Sequence, residues 1–439
     1  DRGRAIKAHT IANLDHYLAM LADNVESNGG HVFFAIDAEE ANRYLVDMAL
    51  DRGVKSVIKS KSMVSEEMGL ARELEGAGIK TLETDLGEYI VQLAGETPSH
   101  LIAPAIHKSS DQIATLLGVE AGEMTKSKSP EDLTRLARTQ LRPHFKRADM
   151  GITGVNFAVA ETGSVVIVTN EGNGRLGTAS PRIHVAIMGM EKVIPSVQDL
   201  ALFLRILIRS ATGQPISSYV NMVTGPRSSD EDDGPDEFHL VIVDNGRTRL
   251  LADPELRESL YCIRCGACLN SCPVYRKVGG HSYGYVYPGP IGAVITPILT
   301  GLREGKDLPF ASTLCGACRE ACPVKIDIPR MLLNLRGRLA DGSTTGTERI
   351  SSRLERIIWS LWRLGMTNLP LYRVASKVGR YLLLPISRSG WVRRMVPPLS
   401  GWTLSRDFPL PARRPFNQRR KDLGKLGQED NSYDDRVVR

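Results

Sequence analysis

Cysteine is missing from most of this 439-residue chain: none precedes Cys262 and none follows Cys322. A disulfide framework spread over a secreted domain is therefore excluded, and free thiols gathered in one place point to a reducing compartment, with the cytoplasm as the default. No run approaches the eighteen or more uncharged apolar residues of a membrane-spanning helix, and the start at Asp1 carries no apolar signal region. Tryptophan is absent before Trp359. Acidic residues are scarce in one stretch, since residues 353–421 hold 15 Lys or Arg against only Glu355 and Asp407, a net +13. The whole chain carries +6, so the remainder is −7. At 42% hydrophobic and 24% charged, a chain of this length suits two or three globular units with substantial cores.

The cysteines that are present form two runs. Cys262, Cys265, Cys268 and Cys272 stand before Pro273, and Cys315, Cys318 and Cys322 stand before Pro323. Three thiolates spaced by two residues wrap one face of an iron-sulfur cubane, at metal contacts of about 2.3 Å. In two-cluster ferredoxins the cysteine before proline ligates the other cluster, so the runs exchange ligands. Applied here, Cys262, Cys265, Cys268 and Cys322 bind cluster one. Cluster two has Cys272, Cys315 and Cys318, and the place three residues before Cys315 holds Ser312. A serine hydroxyl deprotonates far less readily than a thiol and is a poorer iron ligand. Two [4Fe-4S] clusters are expected, with three arrangements open for the second: a [3Fe-4S] cluster, a cubane with one iron capped by water or another side chain, or a cubane completed by a partner. Zinc ribbons fit this spacing badly. Gly266 and Gly316 follow ligands, where backbone passes close to a cluster and its amides can bond sulfide.

Ahead of the cysteines the pattern is α/β, with a mostly parallel sheet expected. Residues 31–36, 54–59, 81–84 and 101–106 read as strands, and 38–51 and 66–77 as helices. Ligands of such sheets sit at the carboxyl ends of strands, which singles out Lys59, Lys61 and Ser62 after one strand and His107 and Lys108 after another. From Asn156 onward the texture is strand and turn, with strands over 157–161, 164–169, 183–188 and 238–243. Between two of them, Gly172, Gly174 and Gly177 satisfy a dinucleotide fingerprint, with Glu191 about where a ribose-binding acid would stand. That match is rejected, because a Rossmann turn must open a helix and this segment is expected to run through Pro181 into a strand. The loop with Asn170, Glu171, Asn173 and Arg175 remains a candidate cradle for an anion or hydroxy acid, against a tight hairpin. Glu161, Glu171 and Glu191 are weak acid-base candidates. Residues 225–235 form an exposed acidic loop, and the glycine- and tyrosine-rich segment 279–290 either shields a cluster or packs as an irregular loop. His281, within it, is a possible non-cysteine ligand.

The expected division is an α/β domain over 1–255, an α-rich, two-cluster ferredoxin-like module over 256–340 and a basic region over 341–439. Trp359, Trp362, Trp391 and Trp402 alternate there with Arg356, Arg363, Arg393 and Arg394. Such interleaving suits an anionic membrane surface or an acidic partner, against an arm packed on its own protein. Pro370, Pro385, Pro397, Pro398, Pro409, Pro411 and Pro415 break the region into short pieces. No recognition fold accompanies the charge, so nucleic acid is not expected.

The stretches Lys59-Ser60-Lys61-Ser62-Met63, Glu83 to Glu88, Pro98-Ser99-His100, Glu161-Thr162-Gly163 and Asn170 to Arg175, together with both cysteine runs, carry a resemblance. From Ala5 to roughly Ile328 the chain resembles the lactate utilization protein B family. The resemblance implies an iron-sulfur subunit of bacterial L-lactate oxidation, with an amino-terminal domain related in fold to the sugar-isomerase and coenzyme A transferase group. It implies two companions, a cysteine-rich iron-sulfur protein and a smaller protein of the same α/β type, that together with it take lactate to pyruvate. Members likewise carry three cysteines in the second run, so Ser312 is no departure, and they usually carry a further stretch ahead of the position of Asp1. The implied role is one-electron conduction, with the acceptor open and a peripheral place at the inner membrane face allowed. Rivals are an open cluster iron acting as a Lewis acid on a hydroxy acid, and a redox or lactate sensor.

Overall fold

Segments that are mostly apolar along their whole length belong in a sheet covered on both faces. In the computed structural model of the chain, which describes residues 1–122, 129–341, 353–397, 399–414, 416, 419 and 420, such segments form the middle of a six-stranded sheet. In chain order the strands are β1 (His31–Ala35), β2 (Ser56–Ser60), β3 (Lys80–Glu83), β4 (Met150–Gly154), β5 (Phe157–Val159), β6 (Ser164–Thr169), β7 (Ile183–Gly189), β8 (Val193–Ile194), β9 (Tyr219–Val223) and β10 (Glu237–Val243). The large sheet runs β1-β10-β7-β4-β2-β3 with every neighbouring pair parallel. β4 and β7 are buried at every position. A four-stranded sheet, β8-β5-β6-β9, stands beside it and is largely antiparallel.

Helices cover the large sheet for readable reasons. Helix Ala38–Asp51 starts at Asp37, whose carboxylate accepts from Glu40 N at 2.9 Å, and buries Ala41, Leu45, Met48 and Ala49 at helical spacing. Three expectations change. The helix expected over 66–77 is two, Met63–Met68 and Leu70–Gly76, because Gly69 between them takes a φ of +68°. Residues 101–106 form turns in place of a strand; Ser99 closes the segment on itself through Pro104 O, bonded by its N and its Oγ, each at 3.0 Å. The glycine loop does open a helix, Asn173–Ala179, and does not form a hairpin. The dinucleotide geometry fails on other ground: β6 lies in the small sheet with antiparallel neighbours while β7 lies in the large one. The helix instead lies on β4, where a Cβ on Gly151 would collide with the Gly177 carbonyl.

The chain divides into two compact units, Asp1–Arg349 and Ile350–Arg439. In the first, one core runs from Ile11 and Leu21 through Phe157 and Phe203 to Cys265, Cys268, Ile291 and Leu335, so the cysteine module and the α/β domain share buried surface. In the second, helices Arg353–Thr367 and Leu369–Leu383 are followed by a short antiparallel pair, Trp391–Val392 with Phe408–Pro409. Pro370 sits in the first turn of its helix, where no amide is needed, and Pro398 and Pro415 lie outside the described residues. Trp359, Trp362, Trp391 and Trp402 are about half exposed. Among the described residues no helix is long and apolar enough to cross a membrane.

His184 in β7 makes the core sensitive to acid. It is fully buried, bonded to Thr153 Oγ1 at 2.9 Å, and burial, with His239 adding to it, lowers it from 6.5 to about 3. The folded chain keeps it neutral while the unfolded chain binds a proton below 6.5, so its contribution is intact above that pH and shrinks as pH falls, by about 1.4 kcal/mol per unit down to about pH 3. His184→Gln should flatten the pH dependence of the denaturant midpoint between about pH 7 and 5. An unchanged slope would rule this origin out.

Candidate functional site

Each cysteine run bends through the same backbone sequence. Arg264 and Gly266 have φ of +60° and +74°, and Leu314 and Gly316 repeat this at +55° and +86°. Left-handed geometry at the two non-glycine residues costs of order 1 kcal/mol each. A five-residue helix follows in each run, Ala267–Ser271 and Ala317–Ala321. Arg264 N donates to Cys262 Sγ at 3.4 Å, and at the matching place Leu314 N donates to Ser312 Oγ at 3.1 Å. Ser312 thus occupies the position of the missing cysteine in the repeat.

The seven thiols are free and fall into two groups. Cys262, Cys265, Cys268 and Cys322 line one cavity, whose apolar wall includes Leu101, Ile263, Ile291, Val324 and Ile326. Cys318 interacts with Cys272 and Cys315. Backbone amides reach sulfur again at Cys322, from Ile326 N at 3.4 Å, and at Cys272, from Tyr275 N at 3.5 Å. Burial, with smaller contributions from Cys262 and Cys322, pushes Cys265 up to about 12, whereas Cys315 is exposed and a backbone bond from Ala317 lowers it. Thiols that converge on an apolar cavity under amide donors fit an iron-sulfur group well.

A second cavity, about 160 Å³, lies at the carboxyl ends of parallel strands, where open α/β sheets bind ligands. Lys61 and Ser62 after β2, Asp85 after β3, Asn156 after β4 and Lys192 after β7 line it, with Arg264 of the first cysteine run and Tyr287. Leu101 lines both this cavity and that of the four cysteines.

Buried charges tie the two cavities together. Arg247 takes Glu67 in a bidentate pair at 2.9 and 2.8 Å and Glu191 through Nε at 2.7 Å, and Glu191 reaches Arg264 Nη2 at 3.2 Å. Tyr287 OH donates to Glu67 at 2.6 Å and its ring lies 4.5 Å under the Arg264 guanidinium. Burial disfavours the Glu191 carboxylate, but Arg247, Arg264 and Lys192 override it and hold the group well below its usual range. Burial also lowers Lys192 to about 8. A Cβ on Gly189 would overlap both the Glu191 carboxylate and the Arg247 guanidinium, so the end of β7 needs glycine there. Lys59 is buried between Glu66 and Glu83 and holds the ends of β2 and β3 together.

Of the sequence candidates, Lys61 and Ser62 line the cavity, and Glu171 and Asn173 stand beside it without lining it. Lys61, at φ +47°, pairs with Glu171 at 3.0 Å and Asp85 at 3.1 Å. Ser62 is buried and caps helix Met63–Met68, its Oγ accepting from Ser65 N at 3.2 Å. Asn173 is buried and donates to Ser60 Oγ at 3.0 Å. Arg175 is exposed and off the cavity. His107, expected at a strand end, instead joins a separate surface group: its Nε2 lies 2.6 Å from Glu96, its Nδ1 2.8 Å from Ser99 Oγ, and its ring 4.5 Å from that of His281. His281 donates to or accepts nothing from the cysteine loops; its bond is to Thr97 O at 2.7 Å. Glu161 accepts from Val197 N at 3.1 Å and Glu191 is fixed in ion pairs, so neither is placed as an acid-base group. Arg264, Lys192, Glu67 and Arg247 were not singled out by sequence, although Arg264 between two ligand cysteines was a signal.

Known proteins bear on this arrangement. Residues 18–243 match the LUD domain, residues 258–326 the 4Fe-4S dicluster domain and residues 335–425 the C-terminal domain of lactate utilisation protein B. Lactate utilization protein B of Shouchella clausii is 47% identical over 98% of this chain and 88% of its own length, and that of Macrococcus caseolyticus 48% identical over 94% and 85%. A solved DUF162 family structure from Deinococcus radiodurans aligns with 52% of this chain and 98% of its own at 12% identity and a TM-score of 0.30. An α/β domain of LUD type joined to an iron-sulfur module and followed by its own C-terminal domain, at this identity over nearly the full length, makes the chain a member of the lactate utilization protein B family.

Proposed function

We propose that this chain is an iron-sulfur electron-transfer subunit of an assembly that oxidises L-lactate to pyruvate, working with two companion proteins. The observation that carries this is the sorting of seven thiols into a set of four around one apolar cavity and a set of three. Cys262, Cys265, Cys268 and Cys322 would hold one cluster and Cys272, Cys315 and Cys318 the other, and each cluster when bound accepts and releases single electrons. The chain's own part is to fix the thiolates, bond their sulfur with amides, and keep water from the first set with Ile263, Ile291 and Val324. Exposed Cys315 puts the second set where a redox partner can approach. In the anaerobic assembly with both companions, lactate should reduce the clusters, and leaving this chain out should stop electrons reaching the acceptor. Acceptor reduction that continues without it would overturn the role.

Ser312 favours a second reading for the three-thiol set, in which an iron left open binds a hydroxy acid as a Lewis acid. Ser312→Cys completes a four-thiol set in the place the repeat already shapes. Under the conducting reading it should leave lactate oxidation within about twofold while changing the electron resonance of that cluster; under the Lewis-acid reading turnover should collapse by about a hundredfold or more. The basic second unit, with its half-exposed tryptophans, is proposed to touch an anionic membrane surface peripherally. Pelleting with anionic but not neutral vesicles is the expected behaviour, and no pelleting with either would remove it.

A further inference from the structure

Two cations face the cavity at the strand ends with unfilled bonding capacity. Lys192 is 8% exposed; Glu191 is near enough to favour its charge, but among the described residues its ammonium has no hydrogen-bond partner and no carboxylate at ion-pair distance. Arg264 gives Nη2 to Glu191, but its buried Nη1 has no partner. A buried donor left unmade is costly, and more so when charged, and of the acids on the same lining Asp85 pairs with Lys61, Glu191 with Arg264, and burial raises Glu88 toward its neutral form, so this wall suits an anion. The remaining lining limits which anion. Val155, Ile187, Leu207 and Ile208 are apolar, as suits a hydrocarbon portion and not a bare phosphate. Asn156 Oδ1 is taken by Val168 N at 2.8 Å, which leaves its Nδ2 to donate to a second oxygen.

We infer that this cavity binds a small monocarboxylate bearing a second oxygen near the carboxyl carbon. Its carboxylate rests on Lys192 and Arg264, and its other oxygen is served by Asn156. The site deepens the proposed function, because Arg264 lies between Cys262 and Cys265 and Leu101 separates this cavity from that of the four thiols. The bound acid would therefore sit one side chain away from the four-thiol set.

Anaerobic titration calorimetry on the full chain, with L-lactate, pyruvate, acetate and inorganic phosphate as probes, tests the site. Saturable binding of lactate or pyruvate, tighter than acetate or phosphate, is expected. Arg264→Gln and Lys192→Gln should each weaken it by about tenfold or more, the loss of one charge-assisted bond. Ala211→Phe, on the helix Val197–Thr212 that closes the cavity, should block it without altering either cation or any cysteine. No saturable binding of any probe would overturn the site, with the cations then serving only to balance the thiolates. So would binding that is strongest for phosphate, or an affinity unchanged in all three variants. Iron content and electron resonance of the same samples separate the two ideas: clusters present without binding sink the site alone, and binding without clusters sinks the electron-transfer role alone.

Discussion

Cys268→Ala should remove one iron-sulfur centre and leave the other, lowering iron by about four atoms per chain and erasing one of two electron-resonance signals. Cys268 is 9% exposed and shares its cavity with Cys262, Cys265 and Cys322. Cys318→Ala should produce the complementary loss, because Cys318 interacts with Cys272 and Cys315. Cys265, Cys268, Cys272 and Cys318 all belong to the core that also holds Phe157, Leu240 and Leu335, so losing either centre should also loosen the α/β domain, since ligand-binding free energy at a metal site is folding free energy. Loss of both signals in either variant would mean that the thiols are not divided in this way.

Glu191→Gln carries the second large effect. Glu191 joins two arginines, Arg247 at 2.7 Å and Arg264 at 3.2 Å, with its side chain and that of Arg247 each 1% exposed. Removing its charge leaves Arg247 with Glu67 alone and takes the carboxylate from Arg264 and from nearby buried Lys192. Breaking a buried pair in this manner costs about 3–5 kcal/mol, against near zero for most surface pairs. Denaturant unfolding of the iron-loaded chain reads this directly. The same substitution should also disturb the first centre, because Arg264 is flanked by two of its thiols. A loss within about 0.5 kcal/mol would show that the network is incidental.

How far this molecule could be read from its sequence depended on the distance over which each feature is encoded. The cysteine runs were legible because ligand spacing is local, and β7 and β10 because a mostly apolar run has few other places to go, whereas β4, Met-Gly-Ile-Thr-Gly, carries no such signal. Residues 101–106 are apolar too, yet they turn, since Pro104 interrupts them and Ser99 bonds back to its carbonyl. The glycine loop differs from its sequence reading for a similar reason: Pro181 fits a strand start, while Asn173–Ala179 ahead of it has room for two turns of helix. The charge network was invisible. Arg247 and Glu191 are 56 residues apart, Arg264 and Glu191 73, and Arg247 and Glu67 180, so no window of sequence contains a pair. Lys61 and Ser62 are legible because strand ends in parallel sheets converge, Asn173 because it stands in the glycine loop, and His107 lies elsewhere because its strand does not exist.

The division of seven thiols between two metal centres is tested most directly by preparing the full chain without oxygen and measuring its iron, sulfide and electron resonance together. Seven or eight irons per chain, about as many sulfides and two reducible centres are expected. Colourless protein holding zinc, or a single centre that cannot be reduced, would show that these cysteines do something else.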